Sequence, residues 1–359
     1  MTSRIVIRSA VIPAWIALLS LLALSLGGTV AGIVSEPPGT PRIMAMVKDF
    51  ALQGDPLFVS LAEDPTGISP ETRHLAVYLR FADGTEGPPA PIFPMPNRSP
   101  ESNRPSGREI QGLGPSAWEV PRTSGSAWLA LVGVPTSAAT GPALVRVVLG
   151  NLLVAETTVD IRSRTFRKED IRLDDSLTSL RTDSDPVKTA QAERYLAIIA
   201  RTEPAAVYLD QGFVRPVAGE RRTSLFGDRR RYLYSTGGMA PSEHAGIDYG
   251  YPRGTPVVAA GRGRVAMAEE RIVTGLTVII EHLPGVYTIY MHLSRIDVTS
   301  GDIVECGQLI GAVGATGLAT GPHLHWELRI GGVACDPEAL IGIDKVPDIR
   351  TMGPAIEGR

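Results

Sequence analysis

Cysteine is almost absent from this chain of 359 residues: there are two, Cys306 and Cys335. Neither sits in a signature that would mark a thiolate nucleophile. In an oxidising compartment they could form one bridge. Equally they could be two reduced, buried thiols, because sequence does not give their separation. Histidine is scarce too, six in all, and basic charge has no excess, since 35 Lys and Arg against 38 Asp and Glu leave a net charge of −3. That balance has no nucleic-acid footprint, so no nucleic acid is expected as a partner. What remains, 43% hydrophobic and 20% charged, is the composition of an ordinary globular protein long enough for two cores.

Charge is missing from one stretch. After Arg4 and Arg8 no charged residue occurs until Glu36, and the densest apolar run covers 14–26. Basic residues followed by an apolar core direct the remainder of a chain across a membrane. Residues 14–26 have the length of a signal-peptide core, with Thr29-Val-Ala31 as a small-residue cleavage site, while 9–35 is long enough to span a bilayer. Export with a cleaved signal or a single anchor is therefore expected. No cysteine follows the apolar run, which excludes a lipoprotein anchor.

Residues 76–81, 127–132, 144–149 and 152–161 read as strands, the last two joined at Gly150-Asn151. They predict a small β-sandwich of about a hundred residues. Within it, 87–121 holds nine prolines, which blocks regular pairing and predicts a long loop, a flexible cover over a site or plain filler. Asn97-Arg-Ser matches a glycosylation sequon and is read as coincidence. A helix should follow, capped by Asp185, with Pro186 in its first turn, Ala190, Leu196, Ile198 and Ile199 on its apolar side, and Pro204 beyond its end.

Four of the six histidines fall in three short motifs, His244-Ala-Gly-Ile-Asp248, Tyr290-Met-His292-Leu and Gly321-Pro-His323-Leu-His325-Trp326. Residues two or four apart on a strand share a face, so His244 with Asp248 and His323 with His325 can each project into one groove. Imidazole and carboxylate suit Zn²⁺, and a catalytic zinc takes three protein ligands and leaves a fourth position for water. The pattern describes an open metal site and, with it, a zinc peptidase. The other two histidines, His74 and His282, are read as hydrogen-bonded structural residues, His282 at a hairpin turn before Leu-Pro-Gly.

Rival chemistries fit less well. The glycines of 311–317 lack the long helix that a dinucleotide fingerprint requires, and are assigned to tight turns and close strand approach. Ser242 has no nucleophile elbow around it.

The region 213–341 resembles the M23 family of metallopeptidases, the lysostaphin and LytM type that hydrolyse peptide bonds in peptidoglycan. Phe226-Gly-Asp, Gly254-Thr-Pro-Val-Val-Ala and Gly307-Gln-Leu-Ile-Gly-Ala-Val-Gly-Ala-Thr-Gly are further matching pieces. The resemblance implies His244, Asp248 and His325 as ligands of one zinc ion per chain, and His292 and His323 as the catalytic pair that manages protons. It also implies peptidoglycan peptides as substrate and a cell-envelope location, with the inner membrane a partner if the N-terminal segment is retained, and an envelope regulatory partner possible.

The organisation expected is mainly β. It comprises an export segment (1–35), a β-rich domain (36–165), a helical linker (166–205), a LytM-type antiparallel β-sheet enzyme with an open groove (206–342) and a tail (343–359). The closing Ile356-Glu-Gly-Arg matches a protease tag-removal sequence outside the fold. The run Arg229-Arg230-Arg231 is read as a solvated cluster, with contact to stem-peptide carboxylates as the minority reading. The upstream domain with its proline-rich loop is expected to restrain the groove. Two other functions stay open: a scaffold that activates other wall hydrolases, and an exported structural protein whose zinc is closed by a fourth ligand, Cys306 or Cys335.

Overall fold

The computed structural model describes residues 28–30, 43–63, 75–94, 127–209 and 212–341. Most of the export segment, His74, Asn97, residues 95–121 of the proline-rich stretch and the tail lie outside the described residues. No helix among the described residues is long and apolar enough to cross a membrane.

The chain is mainly β. Nine strands come first: β1 (Gly28–Val30), β2 (Ile43–Lys48), β3 (Phe50–Leu52), β4 (Pro56–Glu63), β5 (Leu75–Arg80), β6 (Ile92–Pro94), β7 (Ala127–Gly133), β8 (Gly141–Leu149) and β9 (Leu152–Arg162). They form two sheets, ordered β1-β2-β4-β7-β6 and β3-β9-β8-β5. Alternation builds this module: in β5, Leu75, Val77 and Leu79 point inward while their neighbours face outward. These side chains meet Leu57, Val59, Leu61, Val145 and Val147 in a single core between the sheets. Gly150-Asn151 is the tight turn of the β8–β9 hairpin, with Gly150 at φ +60°.

The connection that follows is less helical than expected. It opens with β10 (Lys168–Arg172), and then carries two helices, α1 (Asp175–Thr182) and α2 (Pro186–Ile199). Asp185 caps α2, accepting from the backbone N–H groups of Val187 and Lys188, and Pro186 occupies its first turn.

The remaining strands are β11 (Arg222–Ser224), β12 (Arg229–Leu233), β13 (Met239–Glu243), β14 (Gly246–Tyr249), β15 (Pro256–Val258), β16 (Gly263–Arg271), β17 (Gly275–Leu283), β18 (Val286–Ile296), β19 (Ile303–Val304), β20 (Leu309–Val313), β21 (Leu324–Ile330) and β22 (Val333–Cys335). Most join one ten-stranded sheet along the path β11-β14-β21-β18-β17-β16-β19, while β10, β12 and β13 form a separate three-stranded sheet. β18 is buried on both faces from Val286 to Leu293, as a central strand must be. One face packs Tyr290, Trp326, Leu328 and Ile280 into the main core. The other presents Ile279, Tyr287, Ile289 and Met291 to α2, through Ile199 with Tyr195 and Ile198. By the period of two, His325 and Glu327 lie on the face that α2 covers.

His282 is not in a turn. It lies on β17, fully buried, with Nδ1 donating to the Arg262 carbonyl oxygen (2.9 Å) and Nε2 accepting from Thr288 Oγ1 (2.7 Å). Pro284-Gly285 makes the turn instead, Gly285 at φ +73°. The structural role read for His282 thus fits its surroundings. The two cysteines are not joined, and Cys335 is fully buried, its thiol pushed up to about 12 by that burial.

Burial lowers the His282 pKa to about 4. The unfolded chain, at the ordinary value near 6.5, binds the extra proton first, so this contribution to stability is complete above pH 6.5 and falls away toward pH 4. We expect unfolding free energy to drop by a few kcal/mol from this residue across that window. His282→Gln should flatten that part of the profile, as read by denaturant titrations at pH 7 and pH 5.

Candidate metal centre and its cleft

Asp248 and His325 face each other directly across the antiparallel pair β14–β21, and Met291 of β18 lies opposite His325 on its other side. Direct cross-strand neighbours place their Cβ atoms about 5 Å apart, so the register alone brings carboxylate to imidazole. His325 Nδ1 lies 2.7 Å from Asp248 Oδ1. His244 arrives differently from the expectation that it shares a strand face with Asp248: it sits between β13 and β14. Its Nε2 still reaches Asp248 Oδ1 at 3.0 Å and His325 Nδ1 at 3.0 Å.

The Phe226-Gly-Asp motif explains how His244 is held. The Gly227 N–H donates to the His244 carbonyl (2.8 Å), and the His244 N–H donates to that of Asp228 (2.9 Å). Asp228 in turn accepts from the Leu225 N–H and from Arg167. That turn sets the Leu225 carbonyl 2.7 Å from His244 Nδ1, leaving Nε2 for the centre. Gly227 is at φ +77°, and a Cβ there would lie 2.2 Å from the Phe166 ring, so only glycine fits.

His325 is held the same way. Its Nε2 donates to Glu327 Oε1 (2.9 Å), and Glu327 Oε2 accepts from Arg329 Nε and the Tyr195 hydroxyl of α2, each at 2.8 Å. Glu327 and Tyr195 were missed in the sequence. Glu327 had a signal, since it follows His325 by two on the same strand face. Tyr195 had none, because only tertiary packing brings it there.

The three-arginine run is solvated only in part: Arg231 is exposed and Arg229 half-buried, as a surface cluster would be, but Arg230 is not. Residues alternate sides along β12, and the middle one turns inward. Arg230 is buried and reaches Asp248 Oδ2 (2.5 Å) and Glu169 of β10 (3.0 Å). Arg229 pairs with Glu243, and Arg231 with Asp170 (2.6 Å). All three are already neutralised by protein carboxylates.

Burial would raise the Asp248 pKa, but hydrogen bonds from His244 and His325 hold it well below the usual range, so it is ionised. Burial would lower His325, yet Asp248 and Glu327 outweigh it and lift the group to about 9. Carboxylates that attract a proton this strongly will also attract a cation.

His292 and His323 stand beside this group, their ring centroids 4.8 Å apart, with His292 6.1 Å from His325. His323 Nε2 is 3.8 Å from Asp248 Oδ1. Each has Nδ1 against a carbonyl oxygen, Thr316 O for His292 and Gly321 O for His323, both at 2.8 Å. A carbonyl only accepts, so Nδ1 carries the proton and Nε2 is left as acceptor. His292 has φ 59°, the one positive value outside glycine among the described residues. Such a conformation costs about 1–3 kcal/mol, and it persists here because the His292 N–H is tied to Thr274 O and the backbone packs against Gly314. A Cβ on Gly314 would stand 2.6 Å from the His292 carbonyl oxygen. The glycines of this stretch thus permit close strand approach.

Every sequence-predicted site residue lines one cleft of about 400 Å³. Among the described residues, His244, Asp248 and His325 form a buried group of three donors within 4.8 Å of one another that could hold a metal ion, and neither cysteine belongs to it. The closed, four-ligand structural site considered above is therefore not formed. The donor set, two imidazoles and an ionised carboxylate with their second nitrogens anchored, fits an open metal centre.

Fold and site define a β-sheet protein with a cleft in which three buried donors could hold a metal ion. Residues 242–337 match the model of Peptidase family M23, so this segment is of the M23 type, and the family implies a metal. It is similar to the DD-carboxypeptidase/endopeptidase Mpg of Neisseria meningitidis serogroup B, 40% identical over 127 residues, 35% of this chain and 28% of that protein. It is also similar to the peptidoglycan DD-endopeptidase ShyA of Vibrio cholerae, 43% identical over 125 residues, 34% of this chain and 29% of that protein. Among solved structures, the catalytic domain of the antimicrobial peptidase lysostaphin from Staphylococcus simulans is 36% identical over 26% of this chain and 76% of that one, with a TM-score of 0.26. The chain spans less than a third of the length of the two curated relatives.

His244→Ala or Asp248→Ala should abolish stoichiometric metal binding, read by elemental analysis after dialysis. Glu327→Gln should keep the fold and weaken metal affinity by about 10- to 100-fold, the usual worth of a carboxylate behind a ligating histidine, in a chelator competition.

Proposed function

We propose that the chain is a zinc-dependent endopeptidase of the cell envelope that hydrolyses peptide cross-links or stem peptides of bacterial peptidoglycan. The observation that carries this reading is the convergence of three buried donors, His244, Asp248 and His325, with two further histidines whose Nε2 atoms are left as acceptors in the same cleft. The names of the Neisseria and Vibrio relatives support a bond between D-amino acids as the first to test. The apolar N-terminal run supports export, with the inner membrane as partner if it is retained.

In this reading His244, Asp248 and His325 hold the zinc. When bound there it would polarise the scissile carbonyl and lower the pKa of a water toward about 7. The chain's own residues then manage protons. Burial first, and the neighbouring His323 and His325 next, push His292 down to about 3, so at neutral pH it is an unprotonated imidazole. His292 and His323 divide two tasks: the Nε2 of one accepts the proton of the attacking water, and the other, once its Nε2 has taken up a proton, stabilises the developing oxyanion or passes that proton to the leaving amine. The hydrogen bonds from their Nδ1 atoms hold each ring in the tautomer that work requires. A purely scaffolding role gains no support from a site whose five residues are all present and convergent.

Purified chain incubated with muropeptides of known cross-bridge should release products whose masses name the bond, and a chelator should stop it. Full metal loading with no product from any muropeptide would overturn the reading. His292→Ala and His323→Ala should each keep the metal and lose about 10²- to 10⁴-fold in kcat, with KM changing less. Metal content and hydrolysis measured on the same preparations check this.

A further inference from the structure

Charge pairing in the cleft leaves one cation over. Arg230 is taken by Asp248 and Glu169, Glu243 is paired with Arg229, and Glu327 with Arg329. Arg181, in the last turn of α1, lines the same cleft, and no carboxylate among the described residues pairs with it. Its guanidinium is nonetheless held in place, stacked 4.0 Å from the centroid of the Tyr232 ring. A stacked guanidinium keeps its edge N–H groups available and gives up little freedom when they bind.

The register shows where this cation stands. Tyr232 follows Arg230 by two residues on β12, so both point the same way, and β10 runs parallel with Glu169 opposite Arg230 and Ile171 opposite Tyr232. Two residues of strand cover roughly 6–7 Å. Arg181, stacked on the ring of Tyr232, thus stands on the same wall as the arginine that touches Asp248 and one side-chain position further along it. An extended peptide advances at a similar rate, so a group about two or three residues from the bond at the metal centre would come under Arg181. This wall lies outside residues 242–337, the segment that matches the family.

We propose that Arg181 is a specificity-determining residue that receives a free carboxylate of the peptide substrate, a few residues from the scissile bond. The inference rests on the peptidase reading. Arginine grips a carboxylate through two parallel N–H donations, a geometry lysine cannot reproduce and an amide cannot receive as an anion. The three consecutive arginines that the sequence offers for this task are already engaged, which leaves Arg181 to perform it.

The test compares one muropeptide with its stem carboxylates free and the same peptide with them amidated, on the zinc-loaded full chain. Kd is read by calorimetry with His323→Ala, slowed enough that little peptide is cut during the titration, and kcat and KM with the unaltered chain. We expect the free form to bind on the order of 10- to 100-fold more tightly, with the difference in kcat/KM carried by KM. Arg181→Ala should remove that preference while leaving the amidated peptide unchanged, and Arg181→Lys should keep part of it. Equal Kd for the two peptides on the unaltered Arg181, or a preference that survives Arg181→Ala, would overturn the proposal. Because Kd reads binding and not turnover, absence of hydrolysis would count against the peptidase reading alone. The comparison of free with amidated peptide uses no Arg181 variant, so equal Kd overturns the proposal even if Arg181→Ala fails to fold, and the conservative Arg181→Lys then tests whether the preference belongs to this side chain.

Discussion

A carboxylate buried between two strands cannot be left alone, because an ion without partners in a low-dielectric interior costs several kcal/mol. Asp248 is in that position, and the surrounding architecture supplies its partners. β14 and β21 pair in a register that sets His325 directly across from it, the turn at 225–228 turns His244 toward the same oxygen, and β12 presents Arg230 to the other. The two oxygens are thereby distinguished. Oδ1 faces the imidazoles, and Oδ2 is committed to a guanidinium. Slipping β14 by one residue would exchange Asp248 for Ile247 or Tyr249, both of the main core, and site and core would be lost together.

Around that pair, a ring of hydrogen bonds removes the freedom of each histidine. Leu225 O, Thr316 O, Gly321 O and Glu327 each occupy one ring nitrogen and fix what the other can do. His282 shows the same chemistry without a function: both nitrogens are satisfied and burial keeps it neutral. What separates it from the four cleft histidines is therefore the nitrogen left over, not burial or hydrogen bonding as such.

Much of this was legible from residue order. The H-x-x-x-D and H-x-H spacings, with the Tyr-Met-His-Leu motif, marked five of the residues that line the cleft, and the strand-like runs located β5, β7, β8 and β9 closely. Asp185 and Pro186 marked the start of α2 because capping is a local interaction between neighbours. The rest depended on contacts that no local pattern encodes. Three arginines in a row look like a charged surface until a strand is recognised, and then a period of two sends the middle one inward. β10 was hidden because Lys-Glu-Asp-Ile-Arg is a poor strand on its own merits, and only parallel pairing with β12, some sixty residues on, makes it one. His292 at φ 59° had no mark of its own, since no glycine announced the conformation.

The tie from Tyr195 to Glu327 has a bearing on how the protein could be divided. The polar support of His325 comes partly from α2, and that of Asp248 partly from Glu169 through Arg230, both well upstream of the residues that match the family. Arg164 reaches across from the end of the β-sandwich to pair with Asp55 on one side and Asp336 on the other, stitching the two modules at their seam. A fragment cut to the family segment would keep every donor atom and lose the scaffolding behind two of them. The stretch that carries this support runs from about residue 167 to 341, nearly twice the length of the segment 242–337, and Phe93, Leu129 and Leu131 of the upstream module still pack into its core.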